Sequence, residues 1–162
     1  MERKELGLTE ALQIAKEAEQ KAEAAYVDAA AKAGSSLGRV LFEQLAEFER
    51  HHYRQLVALE ESLREKGTFI QYEPREWSTS PPGEVKGLDE PNRMSMVQII
   101  KAAMEFEWEA EKRYAALSEE VADPAGKAMF EQLAEEERTH YRILENAFWS
   151  LNDHGVWTWP QG

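Results

Sequence analysis

Two short stretches of this chain carry residues that could hold a metal ion or move a proton: "EFERHH", with Glu49 and His52, and "EEERTH", with Glu137 and His140. In each, a carboxylate precedes an imidazole by three residues. Residues at i and i+3 of a helix share a face, so the Glu and His of one Glu-x-x-His can grip the same ion. Both belong to a longer repeat, "FEQLAEFERHHYRQL" from Phe42 and "FEQLAEEERTHYRIL" from Phe130, offset by 88 residues. The register continues upstream without a gap, where "EQKAEAAY" from Glu19 lies over "EWEAEKRY" from Glu107.

These polar residues sit where apolar ones are expected. Leu12, Ala15, Glu19, Ala22, Tyr26 and Ala29 follow the alternating three- and four-residue spacing of a helix stripe, as do Ile100, Ala103, Glu107, Ala110, Tyr114 and Leu117. Leu45, Glu49, His52, Leu56, Leu59 and Leu63 form a third stripe, and Leu133, Glu137, His140, Leu144, Ala147 and Leu151 a fourth. The stripes bring Glu19, Glu49, Glu107 and Glu137 together with His52 and His140. Four ionised carboxylates in a low-dielectric core cost several kcal/mol each unless something positive compensates, and no lysine or arginine lies close by on the stripes. Two Fe(II) ions would carry four positive charges against four carboxylates, with two neutral imidazoles as nitrogen donors. Mn(II) or Zn(II) would fit the same ligands.

The elements that must position these residues are four helices. The composition is rich in Ala, Glu, Leu, Lys, Arg and Gln, with 9 glycines and 6 prolines, which favours an all-α fold. At 162 residues a single domain spanning 1–162 is expected. Its repeat halves lie at about 8–66 and 96–154 and imply a pseudo-twofold axis. "AGSSLG" around Ser35 and "VADPAG", with Asp123 as N-cap and Pro124 at the first helical position, mark two short hairpin connections. Residues 67–92, rich in Pro, Gly, Ser and charge, form a long crossover between the second and third helices, which its length allows to run parallel. Tyr72 and Trp77 would pin it to the bundle; a lid over the site is the alternative. The Trp-rich tail, 153–162, is too apolar to stand free in water and would pack on the bundle or on a neighbouring subunit.

The bulk properties exclude several functions. A net charge of −12 repels nucleic acid and anionic membrane surfaces. With no cysteine, disulfides, zinc-thiolate sites, iron-sulfur clusters and thiol catalysis are ruled out. No apolar stretch approaches a membrane span and no signal segment opens the chain, so a cytoplasmic location is expected.

With one Glu from each of two helices and Glu-x-x-His from each of the other two, the sequence resembles the ferritin-like di-iron carboxylate bundles, in particular rubrerythrins, with a ligand set of the bacterioferritin type. The resemblance covers about Leu8 to Leu151. It implies that Glu49 and Glu137 bridge two iron ions, that Glu19 and Glu107 are terminal ligands, and that His52 and His140 each bind one ion. Tyr26 and Tyr114 would hydrogen-bond ligand carboxylates, or simply fill the core. His51 and His154 lie off the stripes and are expected in solvent. The four cysteines of the rubredoxin domain common in rubrerythrins have no counterpart in these residues, so electrons are expected from a separate donor protein. Rubrerythrins also tend to place a seventh ligand, a carboxylate, where this chain has Ala110; Glu23 and Glu111 are either mobile substitutes for it or charged helix edges. The activity implied is a non-haem di-iron oxidoreductase of oxidative stress that reduces hydrogen peroxide or O2. Ferroxidase activity in iron handling and a non-catalytic metal-binding module are the alternatives; iron storage would need a particle of many subunits, and a homodimer would argue against it.

Overall fold

Each apolar stripe becomes the inward face of one helix. The computed structural model describes residues 2–81 and 88–160. Met1, residues 82–87 of the expected crossover and residues 161–162 of the expected tail lie outside the described residues. The helices are α1 (Glu2–Lys32), α2 (Ser36–Lys66), α3 (Arg93–Glu120) and α4 (Pro124–His154), and they make an all-α, ferritin-like four-helix bundle. All the stripe residues named above are buried except Leu63, which is half-buried.

Local chemistry sets the helix ends. The Ser35 hydroxyl accepts from the Leu37 N–H at the start of α2. Asp123 caps α4 through the N–H groups of Ala125 and Gly126, with Pro124 directly behind it, which satisfies donors that have no partner inside the helix. α4 ends at Gly155, whose φ of 70° is the left-handed conformation that glycine adopts without a Cβ penalty.

α1 packs along α2 and α3 along α4, with α1 also against α3. The starts of α2 and α3 lie at the same end of the bundle, because the Glu90 carboxylate just before α3 accepts from the N–H groups of Gly34 and Ser35 just before α2. These two helices are therefore parallel, and the crossover must travel the length of the bundle between them. It does so beside α2 and α4. Phe69 lies beside Gly126 at the start of α4, the Tyr72 hydroxyl reaches Glu136 halfway along, and Trp77 stacks on Phe48. Leu88 then accepts from the Trp157 N–H at the far end of α4.

The tail completes this end. After Gly155 the chain forms an isolated antiparallel bridge between Val156 and Asp89, which delivers Trp157 into the core with no exposure. There its ring meets Phe42 edge-on at 5.7 Å and lies so close to Gly38 that a Cβ at that position would come within 2.5 Å of it. Trp159 stacks on Trp77 with ring centroids 5.2 Å apart. Of the two expectations for the tail, packing on the protein's own bundle is the one observed. Burying a large apolar side chain contributes roughly 1.5–3 kcal/mol, so Trp157 both locks the tail and anchors the crossover.

The apolar core is divided. One cluster contains Phe42, Leu45, Phe48, Met96, Ile100, Leu144, Leu151 and Trp157. The other contains Leu12, Leu56, Leu59, Tyr114, Leu117, Phe130 and Leu133. Between them lies the polar layer. No helix among the described residues is long and apolar enough to cross a membrane.

Candidate metal centre

Glu19, Glu49, Glu107, Glu137, His52 and His140 converge in that layer, none more than 1% exposed. Each helix supplies its share because the polar positions fall at mid-length on stripes that otherwise bury aliphatic side chains. Their donor atoms form two groups, Glu19–Glu49–His52–Glu137 and Glu49–Glu107–Glu137–His140, each gathered within 4.8 Å. Glu49 and Glu137 belong to both.

Both imidazoles turn Nδ1 towards the carboxylates. His52 Nδ1 lies 3.2 Å from Glu137, 3.4 Å from Glu19 and 3.8 Å from Glu49. His140 Nδ1 lies 3.3 Å from Glu49, 3.4 Å from Glu137 and 3.6 Å from Glu107. At the terminal carboxylates the halves exchange partners: the Tyr26 hydroxyl donates to Glu107 at 2.5 Å and the Tyr114 hydroxyl to Glu19 at 2.8 Å. Each tyrosine thus steadies the carboxylate of the opposite half, which prepares a ligand for a metal.

The remaining valences are unfilled. Glu19 Oε2, Glu49 Oε1, Glu107 Oε2, Glu137 Oε1 and the Nδ1 atoms of both histidines are buried without a hydrogen-bond partner. A buried polar atom left so costs about 1–3 kcal/mol, and here six of them, one from each residue, belong to the same cluster. Metal–oxygen and metal–nitrogen bonds of about 2.0–2.2 Å hold donors within roughly 4.4 Å of one another, so each group needs to contract by only fractions of an ångström. Oxygen and neutral imidazole donors suit iron, manganese or zinc. The residues fit a pair of divalent cations.

In the metal-free protein, protons take over part of that compensation. Burial, reinforced by Glu137, Glu19 and Glu107, holds the Glu49 carboxyl well above its usual range. Burial and Glu137 push Glu107 up to about 7, although His140 and Tyr26 draw it back. Burial would lower His140, but Glu107 and Glu137 outweigh it and raise the imidazole to about 9. Burial likewise opposes a charge on His52, and Glu19 and Glu137 overcome it. Burial would raise Glu137, yet the flanking His52 and His140 bring it down to about 2. Metal binding must displace these protons.

Two cavities approach the layer. On the α2/α4 side, beside the crossover, one of about 280 Å³ is lined by Phe48, Arg75, Trp77, Gln132, Glu136 and His140. Between α1 and α3 a cavity of about 240 Å³ reaches the layer, lined by Glu19, Glu49, Glu107 and Glu137 together with Ala22, Ala110 and Phe106. Ala110, in place of a carboxylate as seventh ligand, lines this mouth. Glu23 pairs instead with Arg50 at 2.7 Å and Glu111 with Arg138 at 2.8 Å, so both lie at helix edges in matching ion pairs. His154 is exposed, whereas His51 is half-buried and hydrogen-bonds the Glu73 carbonyl at 2.7 Å; the crossover passing over α2 covers it, which its off-stripe position did not foretell.

One contributor escaped the sequence reading. Glu136 accepts from His52 Nε2 at 2.9 Å, from the Tyr72 hydroxyl at 2.9 Å and from Gln132 at 3.0 Å. The available signal was the repeat itself, in which Glu136 lies over Phe48.

Known proteins bear on this geometry. Residues 98–156 match the rubrerythrin family model, a span that includes Glu107, Glu137 and His140. A solved structure, a hypothetical protein from Pyrococcus furiosus, is similar at 26% sequence identity with a TM-score of 0.69, covering 88% of this chain and 89% of that one. No curated protein matches the chain. Over residues 98–156 the chain is thus similar to rubrerythrins, and the whole is a ferritin-like bundle with a buried carboxylate and histidine cluster suited to metal ions.

Proposed function

We propose that this protein is a non-haem di-iron oxidoreductase that reduces hydrogen peroxide or O2 with electrons from a separate donor protein. The observation that carries this reading is the set of unpartnered donor atoms, shared between two ligand groups through Glu49 and Glu137. In it Glu49 and Glu137 would be shared by both ions, Glu19 with His52 would hold one, and Glu107 with His140 would hold the other. Two bound Fe(II) ions would together supply the two electrons that convert one H2O2 and two protons into two waters.

The chain's own residues do the rest. The cavity between α1 and α3 admits a molecule the size of peroxide to the carboxylate layer, while the two apolar clusters exclude bulk water above and below it. Tyr26 and Tyr114 hold the terminal carboxylates in place, each through a hydroxyl proton that burial keeps on its oxygen. Glu136 fixes His52 so that Nδ1 faces the layer.

The test is anaerobic loading of metal-free protein with two equivalents of Fe(II), then mixing with one equivalent of H2O2 or with O2 in a stopped-flow spectrometer. Fast growth of ferric near-ultraviolet absorption is expected, and its loss in Glu49→Ala. Native protein that contains only zinc by elemental analysis, together with no oxidation of the iron-loaded form by either oxidant, would defeat the proposal.

A further inference from the structure

The repeat provides an internal control for the two metal positions. Nearly every residue around the centre has its counterpart 88 positions away: Glu19 and Glu107, Tyr26 and Tyr114, Glu49 and Glu137, His52 and His140. The halves part at positions 136 and 48, counterparts in the repeat that lie against His52 and His140 respectively. His52 Nε2 lies 2.9 Å from a carboxylate oxygen of Glu136, which is itself held by Tyr72 and Gln132. His140 Nε2 is buried and has no hydrogen-bond partner. The His140 ring packs against the Phe48 ring, the two nearly perpendicular at 79° with centroids 4.5 Å apart. Phe48 is stacked on Trp77 and has the Arg75 guanidinium 5.2 Å from its centroid, so the place occupied by an acid in one half is an aromatic, cation-lined wall in the other.

This difference bears directly on ligand strength. With Nδ1 of each ring turned to the centre, the proton of the neutral imidazole sits on Nε2. A carboxylate that accepts this proton fixes the ring and makes Nδ1 a stronger donor, whereas an aromatic face is a far weaker acceptor.

We propose that the two cation positions are unequal: the position of Glu19 and His52 fills first and holds its ion more tightly, and that of Glu107 and His140 fills second and exchanges. Glu136 is the positioning residue that creates the difference. The inference rests on the paired-metal reading above and adds an order to it. Loss of a comparable hydrogen-bonding carboxylate behind a ligating histidine weakens metal binding by about 10–100-fold.

Co(II) is the probe, because its visible spectrum reports each ligand set without turnover. Repulsion between two adjacent cations separates the binding steps whichever position fills first, so the informative quantity is which position is occupied at one equivalent. His140→Ala removes a ligand from the second position, and His52→Ala one from the first. At one equivalent the unaltered protein is expected to give the spectrum of Co(II)-loaded His140→Ala. Glu136→Gln should weaken the first step by about 10-fold or more and leave one equivalent spread over both positions. Phe48→Glu should strengthen the second step; if that variant does not fold, Glu136→Gln still decides. The inference is overturned if the one-equivalent spectrum matches His52→Ala, or if Glu136→Gln leaves the distribution of the ion unchanged. A protein that binds no Co(II), Mn(II) or Fe(II) at all would sink the metal centre itself, a different outcome from equal filling.

Discussion

Glu90 and Glu49 are both shut away from solvent, at 5% and 1% exposure, yet their surroundings are opposite. Glu90 accepts from the backbone N–H groups of Gly34, Ser35 and Asn92 and from the Trp157 indole, at 2.9–3.2 Å. One carboxylate thereby joins the α1–α2 turn, the start of α3 and the tail. Glu49 has an oxygen with no donor, and its neighbours are three other carboxylates and two imidazoles. A buried acid whose oxygens are filled by N–H donors completes the fold without a cation. One whose oxygens face other acids is completed only by something positive from outside.

The largest expected effect breaks the first half of this contrast. Glu90→Leu would strand donors from three segments at once, and breaking a buried charged network costs about 3–5 kcal/mol. Urea unfolding should show that loss equally with and without metal. A change below about 1 kcal/mol would mean that Glu90 is not the clasp described here.

Glu49→Gln should behave in the opposite way. Because burial and Glu137 hold the Glu49 carboxyl well above its usual range in the metal-free protein, the neutral amide should replace it at little cost, within about 1 kcal/mol. The loss appears on adding metal. A ligand at 100 times its dissociation constant stabilises by about 2.7 kcal/mol, and the variant should forfeit most of this, read as the difference in melting temperature with and without Mn(II). A variant that gains as much from metal as the parent would remove Glu49 from the centre.

The sequence revealed these two acids unequally, for a physical reason. Glu49 stands on a stripe whose period marks it as buried, with a copy at Glu137, and Glu19, Glu107, His52 and His140 are legible in the same way. Helix ends at Ser35, Asp123 and Pro124 depend on neighbours two or three residues away, so they too could be read. Glu90 lies in a segment without periodicity and acts on Trp157, 67 residues later; no local pattern encodes such a pairing. Likewise, the route of the tail depends on Gly38 leaving room for an indole, a fact about packing between distant elements. Glu136 falls between these cases. Within "EEER" it looks like one more surface acid, and only its mismatch with Phe48 in the other copy sets it apart.

The pH dependence sharpens the contrast further. His140 is raised from 6.5 to about 9 and Glu107 from 4.5 to about 7 in the metal-free fold. Between the unfolded and folded values the native state binds more protons than the unfolded chain, so stability falls as pH rises. The contribution of Glu107 is complete below about 4.5 and lost through about 7; that of His140 is complete below about 6.5 and lost through about 9. Even ~2 kcal/mol of such linkage lowers the melting temperature of a chain this size by roughly 4–8 °C. Calorimetry of metal-free protein between about pH 6 and pH 9 should show it. Saturating metal should reverse the trend, since ligation requires deprotonated groups and strengthens as pH rises. A metal-free melting temperature that rises across this range would contradict the protonation pattern of the layer.

The smallest effects concern the tyrosines, where the two kinds of carboxylate meet. Tyr26 and Tyr114 give Glu107 and Glu19 one donor each, an incomplete version of what Glu90 receives from four groups. Phenylalanine at either position keeps the ring in the core, Tyr26 against Phe42 and Tyr114 against Phe130, and removes only the hydroxyl. The stability cost should be about 1 kcal/mol. Metal affinity should fall by about 10-fold, and on the opposite half: Tyr26→Phe should weaken the position of Glu107 and His140, and Tyr114→Phe that of Glu19 and His52. Co(II) spectra at one and two equivalents separate the positions. If both variants weakened the same position, the exchange of partners across the twofold axis would be wrong; if neither weakened metal binding, these hydroxyls would be packing groups whose hydrogen bonds do not prepare the ligands.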